Sequence, residues 1–552
     1  MSDPVDDDAS RTVAVLGGSY GGYRAAQILA AGLPRGWRVV LVDRNSHFNH
    51  VYNLPRYAVL PGHEHKAFIP YDNLFGVPSG SDPRTSTHPH KRIHGAITSL
   101  HSHSFTYILH SDSSSLVSTE FDNKQVEHVL HFDYAIYALG SHLPEPINLW
   151  ASRHAVAGPS SSGSETRTKK EVEVAIEAHA KCSEDDLEEE VRRGHFEPTK
   201  YPKDAKPYTG MKSQGISWLR ARQGRVEAAR SVVIVGGGAL GIQFASDIAS
   251  IYPQKRVTLL HSRKQLLPRF DAALSDEVLQ SLDELGVHVI LGERLDLESL
   301  TRVGKSGEDG GPRGVRTTMG RELEGDLVLL CTGQTPNTDL LRGLDPRAVD
   351  EGSGMVKVTR SMQVLVPVDD NLEGGNHNMV DLEIYPGRRG QINNAEPTST
   401  STLSSPRTLC GTEPPSPVET LIELDVPMRT LYPHLFAIGD AADAFGAINA
   451  GHTAYYQGEV AARNVLRLIG RTVGHDAKSD NEDNEALEEP LLELEEYQAG
   501  PPMIKVSLGL TRSAYDVGGV VGTKEDGAGD LGAADVWCAY GYRDVEEEEM
   551  WR

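Results

Sequence analysis

The pattern of apolar and polar positions shows one motif twice. Four apolar residues, Val13 to Leu16, run into a glycine cluster from Gly17 to Gly22, an alanine-rich stretch from Tyr23 to Ala31, and a second apolar run from Arg38 to Val42. Short continuous apolar runs mark buried strands, glycine clusters mark tight turns, and an alanine-rich stretch favours helix. Residues 12–43 therefore predict strand, turn, helix, strand, and residues 231–261 repeat that pattern. Apolar runs at 133–140, 326–333 and 435–438 predict further strands, each ending in small residues. Helices are expected near Ser217 to Ala229 and over Tyr455 to Ile469. Runs at Met503–Leu508, Val517–Val521 and Val536–Ala539, divided by glycine-rich turns, predict strands of a small C-terminal domain.

Two stretches interrupt this order. Residues 151–214 hold the low-complexity run Ser160 to Ser164, a charged tract expected to be helical, and an irregular segment from Pro198 to Pro207, and together form an insertion or linker. Residues 367–424 are rich in Asn, Gly, Ser, Thr and Pro, as in a low-complexity surface insertion. Composition narrows the partners. Among 552 residues, 78 acidic side chains outnumber 54 basic ones, for a net charge of −24, which argues against a nucleic-acid partner. The acidic runs near Glu184, Asp480 and Glu546 read as solvated surface. Cys182, Cys331, Cys410 and Cys538 lie far apart with no paired spacing, which fits a reducing compartment. No apolar stretch of about 18 residues predicts a transmembrane segment. Ser2 and the acidic Asp6 to Asp8 leave no targeting signal, so a cytoplasmic location is expected.

The first glycine cluster, Gly17-Gly18-Ser19-Tyr20-Gly21-Gly22, has the order a dinucleotide requires. One glycine opens the turn, a small residue lets backbone approach the pyrophosphate, and a last glycine lets helix and strand pack closely. Ser19 holds the middle place. Asp43, ending the second strand, is placed to bind adenosine ribose hydroxyls, with Arg44 beside it. The second cluster is a full GxGxxG through Gly236, Gly238 and Gly241. Its second strand ends in His261-Ser262-Arg263 rather than an acid. An acid there repels a 2′-phosphate, whereas Arg263 pairs with one, so NADPH is accepted alongside NADH. Ala138, Gly140 and Gly333 end the strands that return beneath each nucleotide. Gly439 and Asp440 form a turn whose carboxylate can accept a ribityl hydroxyl, ahead of a helix whose N-terminus would face the flavin.

The order GGSYGG, LVD, YALG, GGGALG, CTGQTPNT and FAIGDAAD resembles the two-dinucleotide-binding flavin reductases, nearest the apoptosis-inducing-factor-like group that includes ferroptosis suppressor protein. The segment from His47 through Arg56 to Lys66-Ala67-Phe68-Ile69 is similar to that group's post-strand FAD segment, and Gly451 to Gly458, with Gln457, to its flavin-side helix. The resemblance implies an α/β fold of two Rossmann-like domains with a small α+β C-terminal domain. FAD would bind residues 10–150 with 425–475, NADPH or NADH would bind 215–366, and 485–552 would form the C-terminal domain. It further implies hydride transfer from nicotinamide to flavin and onward reduction of a small acceptor, commonly a quinone. A homodimer is compatible with this reading. Gln243 stands where the group commonly carries a Glu, and Asn449 where some members place a Lys, so the proton-handling groups depart from the pattern. No catalytic side chain is assigned.

Other constellations carry less. His88, His90, His94, His101, His103 and His110 are spaced irregularly with no nearby cysteine, so no metal site is expected. Two other functions fit the same motifs: a redox sensor with slow turnover that uses its acidic insertions to bind partners, or a flavin enzyme that tailors a metabolite.

Overall fold

The computed structural model of the chain describes residues 11–76, 89–110, 126–150, 208–302, 314–367, 428–479 and 493–552. Most of both expected insertions, and His88, lie outside these. The described residues up to Val366 and from Thr430 onward belong to one compact unit, and the site lies within it.

The first repeat folds as expected. Strand β1 (Arg11–Leu16) leads through the glycine turn into helix α1 (Tyr20–Gly32) and back into strand β2 (Trp37–Asp43). Then come β3 (Lys91–Leu100), β4 (Ser104–Leu109), β5 (Glu127–His131) and β6 (Tyr134–Tyr137). Helix α2 (Lys212–Ala228) precedes the second repeat, β7 (Ser231–Val235), α3 (Ala239–Ile251) and β8 (Arg256–His261). Helix α4 (Ala272–Glu284), β9 (His288–Leu291) and β10 (Leu327–Leu330) complete that unit. Strands β11 (Gln363–Pro367) and β12 (Met428–Ala437) return to the first sheet, and α5 (Gly451–Ser479) packs on α1.

Among the described strands, the first sheet runs β11-β12-β6-β1-β2-β3-β4-β5 and the second β9-β8-β7-β10. Around each glycine turn the arrangement is the same: β1 lies parallel between β2 and β6, and β7 parallel between β8 and β10. Parallel strands covered on both faces read as continuous apolar runs. Accordingly Val13 to Leu16 and Val232 to Ile234 are fully buried. Each valine, leucine or isoleucine among them contributes about 1.5–3 kcal/mol by burial, so the strands that aim the turns are also the centre of the core. The chain crosses between the units twice, and the crossings pair as a short antiparallel ribbon, Ser141 with Pro336 and His142 with Thr335.

The C-terminal segment differs from its expected form. Met503–Leu508 is strand, as β13 (Ile504–Leu508). The expected strand Val517–Val521 is instead broken at Gly518 and Gly519, both at positive φ, into a hairpin of β14 (Arg512–Val517) and β15 (Val520–Lys524). The run Val536–Ala539 is helix α6 (Ala533–Ala539). Its apolar residues are set by burial of Trp537, whose indole is fully enclosed and donates to the Lys66 carbonyl at 2.9 Å, not by a sheet partner.

Candidate active site

Both glycine turns are built alike. Gly17 and Gly236 sit at φ +103 and +123, where a side chain is strained, and a Cβ on either would strike a carbonyl, that of Ala138 or of Cys331. A Cβ on Gly22 or Gly241 would strike the carbonyl of Gly17 or Gly236, so the last glycine of each motif closes its own turn. The first intrahelical bonds are Tyr23 N to Ser19 O at 2.8 Å and Ile242 N to Gly238 O at 3.1 Å. Neither Ser19 nor Gly238 supplies a side-chain cap. The amides of Tyr20 and Gly21, and those of Ala239 and Leu240, are thus left at uncapped helix starts, where a pyrophosphate would bind.

The ends of the neighbouring strands match too. The Gly18 amide donates to Asp43 Oδ2 at 2.5 Å, and the Asn45 amide to Asp43 Oδ1 at 2.6 Å. Burial pushes the Asp43 carboxyl up, while these donors and Arg44 hold it back. In the second unit the Gly237 amide donates to His261 Nδ1 at 3.0 Å, so a neutral imidazole stands where the first unit has a carboxylate. Burial pushes His261 down, which keeps it neutral. Arg263 is exposed at the rim. The Gly292 and Glu293 amides bond to the carbonyls of Arg263 and His261, which brings Arg294 to the same rim.

A cleft of about 1350 Å³ opens at the second glycine turn, while Gly17 to Gly22 and Asp43 lie outside its lining. Its floor is the second glycine turn with Gln243, and its near wall holds His261, Arg263 and Gly333. His50 and Tyr52 from the segment after β2 also line it, as do Ile448 to Ala450 with His452 at the start of α5. Burial drives His50 down to about 4, so its ring is neutral near pH 7. The α5 N-terminus, expected to face the flavin, meets the Tyr52 hydroxyl, which accepts from the Gly451 amide at 2.5 Å. Asp440 accepts from Ser141 Oγ at 2.8 Å, and burial raises its carboxyl. Gln457 accepts from the Gly439 amide at 2.7 Å and fixes that turn, where Gly439 sits at φ +72. Gly140 and Gly333 both adopt left-handed backbone beside the ribbon between the units.

Two candidates depart from expectation. Arg56 reaches the cleft but is fully buried: its Nε meets Asp247 at 2.7 Å and its Nη2 donates to the Gly509 carbonyl at 2.6 Å. Lys66 does not line the cleft and pairs with Asp530 at 3.1 Å and Glu547 at 3.3 Å. Both are engaged because the C-terminal segment packs over the stretch from Leu54 to Ile69. Arg44 lies with its guanidinium 4.6 Å from the centre of the Trp150 ring, beside the Asp43 corner. The histidines serve the sheet: the His90 ring accepts from the Val39 amide, His94 and His110 lie 5.2 Å apart, and His103 stacks on His434 at 3.9 Å.

Sequence reasoning missed the far wall of the cleft. Phe270, Ile504, Val506, Ser507 and Leu531 line it, and all but Phe270 come from the C-terminal segment. No local motif marks them; Ile504, Val506 and Ser507 arrive by packing of β13 on α3. Cys331, at the end of β10, is buried in the wall with its thiol pushed well up, as a packed core residue would be.

The comparisons agree with this architecture. Residues 11–368 match the family described as pyridine nucleotide-disulphide oxidoreductase. The chain is 35% identical to Fe-regulated protein 8 of Mycosarcoma maydis, over 98% of this chain and 97% of that protein. It is 35% identical to ferroptosis suppressor protein 1 of Homo sapiens over 25% of this chain and 37% of that protein. With the FAD-dependent oxidoreductase FVFD30 of Flammulina velutipes it shares 29% identity over 26% of this chain and 42% of that protein. With two matched glycine turns, their flanking parallel strands and this similarity along nearly its whole length, the chain belongs to the pyridine nucleotide-disulphide oxidoreductase family.

Proposed function

We propose that the protein is an FAD-dependent oxidoreductase that takes hydride from NADPH or NADH and passes electrons to a small, quinone-like acceptor. The observation that carries this reading is a continuous cleft lined by the second glycine turn, by His50 and Tyr52, and by the start of α5. On this reading a nicotinamide held by the second unit would lie against the region where the first unit would hold a flavin.

The residues present fit both groups. In the first unit, Gly17 and Gly22 close the turn without side chains, the uncapped α1 start offers amides to a pyrophosphate, and Asp43 offers acceptors to ribose hydroxyls. Asp440, with one oxygen on Ser141, keeps acceptor capacity for a ribityl hydroxyl. In the second unit, the uncapped α3 start serves the second pyrophosphate, and Arg263 with Arg294 forms a basic rim for a 2′-phosphate. The neutral His261 lacks the charge by which an acid there would exclude that phosphate.

When bound, the flavin supplies the capacity to accept a hydride and release electrons onward. The protein's part is positioning. Holding the donor ring in the cleft makes transfer effectively intramolecular. Val506, Phe270, Ile504 and Leu531 give the cleft an apolar wall suited to a flat, uncharged acceptor.

The test is a steady-state panel of acceptors, with quinones beside ferricyanide, dioxygen and disulfides, using both nicotinamide cofactors. Quinones should give the highest kcat/KM. Faster turnover of a disulfide would overturn the acceptor assignment, and slow turnover with every acceptor would favour a sensor.

A further inference from the structure

A site that accepts a 2′-phosphate should present no unanswered negative charge, yet the second cradle contains a carboxylate. Of the described charged residues that the span 215–366 gives the cleft, Arg263, Arg269 and Arg294 are cationic and Glu293 is the one acid. Glu293 lies beside the end of β8. Its amide bonds to the His261 carbonyl at 3.2 Å, and the Gly292 amide before it bonds to the Arg263 carbonyl at 3.0 Å. Left to itself, an acid there would repel a 2′-phosphate much as an acid in place of His261 would.

The carboxylate is answered from outside the cleft. Its Oε1 accepts from Arg321 Nε at 3.0 Å and lies 2.8 Å from Arg321 Nη2, and its Oε2 accepts from the Thr317 hydroxyl at 2.8 Å. Thr317 and Arg321 sit at the two ends of the turn that joins Gly314–Arg316 to Glu322–Glu324, and neither lines the cleft. That turn is fixed. The Thr317 amide bonds to the Arg321 carbonyl at 2.9 Å, and the Arg321 amide to Thr317 Oγ1 at 3.2 Å. It also docks on the chain that carries Glu293, since Thr317 bridges Leu295 and the Thr318 amide bonds to the Arg294 carbonyl at 2.8 Å. The Arg321 guanidinium, with the Thr317 hydroxyl, holds the Glu293 carboxyl below the usual range, so it is ionised near pH 7. Arg321 is half exposed, and an ion pair of that kind does little for stability. Its effect is to cancel a charge at the cofactor's edge.

We infer that Arg321 is a positioning residue for cofactor choice: by pairing with Glu293 it keeps the one acid of the second cradle from opposing a 2′-phosphate, and leaves Arg263 and Arg294 to bind it. This rests on the reading of the second unit as a cradle that accepts NADPH. Without Arg321, Glu293 would repel the phosphate and draw the neighbouring arginines toward itself. Both effects lower affinity for the phosphorylated ligand alone.

Equilibrium binding of ADP-ribose and 2′-phospho-ADP-ribose to the FAD-loaded protein tests it, because the ratio of the two affinities reads the phosphate. Arg321→Ala should weaken 2′-phospho-ADP-ribose roughly fivefold, the order expected when one unit charge is uncovered several ångströms from a phosphate near a protein surface. ADP-ribose should stay within about twofold. Arg321→Lys, which keeps the charge, should lose less, and Arg321→Ala combined with Glu293→Gln should return toward the wild-type ratio. The Arg321→Ala loss should also shrink as salt rises from about 0.1 M to about 1 M, since screening acts on charge and not on shape. Equal weakening of both ligands would overturn the role by showing an effect through the fold. An unchanged ratio would overturn it too, as would a double variant as weak as Arg321→Ala. If the wild type binds ADP-ribose but rejects 2′-phospho-ADP-ribose, the NADPH reading itself fails and takes this role with it, a result seen before any variant is made.

Discussion

Asp43 and His261 take the same contact from the same kind of glycine amide, but one is an anion and the other a neutral ring. That difference predicts how cofactor choice is set. Arg263→Ala should weaken NADPH binding roughly tenfold or more, because charge-assisted hydrogen bonds contribute about 1.5–3 kcal/mol, and should leave NADH nearly unchanged. His261→Asp should restore the repulsion an acid exerts and move preference to NADH. Titration of each variant with both cofactors checks this, and equal losses would refute the phosphate assignment. The glycine pattern and the strand-ending side chains were legible because each is a local requirement of one turn. The partner of a residue such as Arg56 was not, since Asp247 and Gly509 come from distant parts of the chain.

Helices α1 and α5 meet through Gly21 of the first glycine cluster and Gly458 of the stretch similar to the flavin-side helix. A Cβ on Gly458 would strike the Gly21 carbonyl, and one on Gly21 would approach the Ala454 carbonyl at 2.6 Å. The helix that begins at the flavin-side turn is therefore seated by backbone contact against the helix that starts the first cradle. Gly458→Ala should lower stability by about 1–3 kcal/mol, the usual cost of overpacking, and reduce the FAD retained on purification. Thermal unfolding with a flavin-content assay would measure both, and full FAD retention at an unchanged melting temperature would contradict the contact. Helices and parallel strands were legible from periodicity, since their burial is two-sided and local. The α6 segment was not, because Val536–Ala539 has strand-like residues whose conformation follows from enclosing Trp537. The break at Gly518 and Gly519 likewise depended on which glycines adopt positive φ.

At the scale of the molecule, the C-terminal segment holds the stretch after β2 in place. Trp551 stacks on His65 at 4.0 Å, Lys212 Nζ donates to the carbonyls of Phe68 at 2.9 Å and Met550 at 2.6 Å, and Lys66 pairs with Asp530. His65 is almost fully enclosed, and burial, with Lys66 and Lys212 nearby, pushes it down to about 4. The unfolded chain binds that proton near pH 6.5 and the folded chain only near 4, so stability is lost as pH falls through that window. His47 and His50 act in the same direction. His65→Phe keeps the stack and should make the fall in melting temperature between pH 7 and pH 5 shallower, whereas an unchanged slope would exclude His65 from the acid response. Sequence pattern marked the two nucleotide units and a C-terminal segment but not where that segment packs, since its contacts are long-range and carry no repeat.

Rapid mixing of the FAD-loaded protein with NADPH or NADH, without oxygen, tests directly whether the cleft brings the two cofactors together. The flavin absorbance should bleach in a fast phase whose rate saturates with cofactor concentration. If NADPH and NADH each bind at the second glycine turn and the flavin stays oxidised, the two units do not share a reaction, and the account is contradicted.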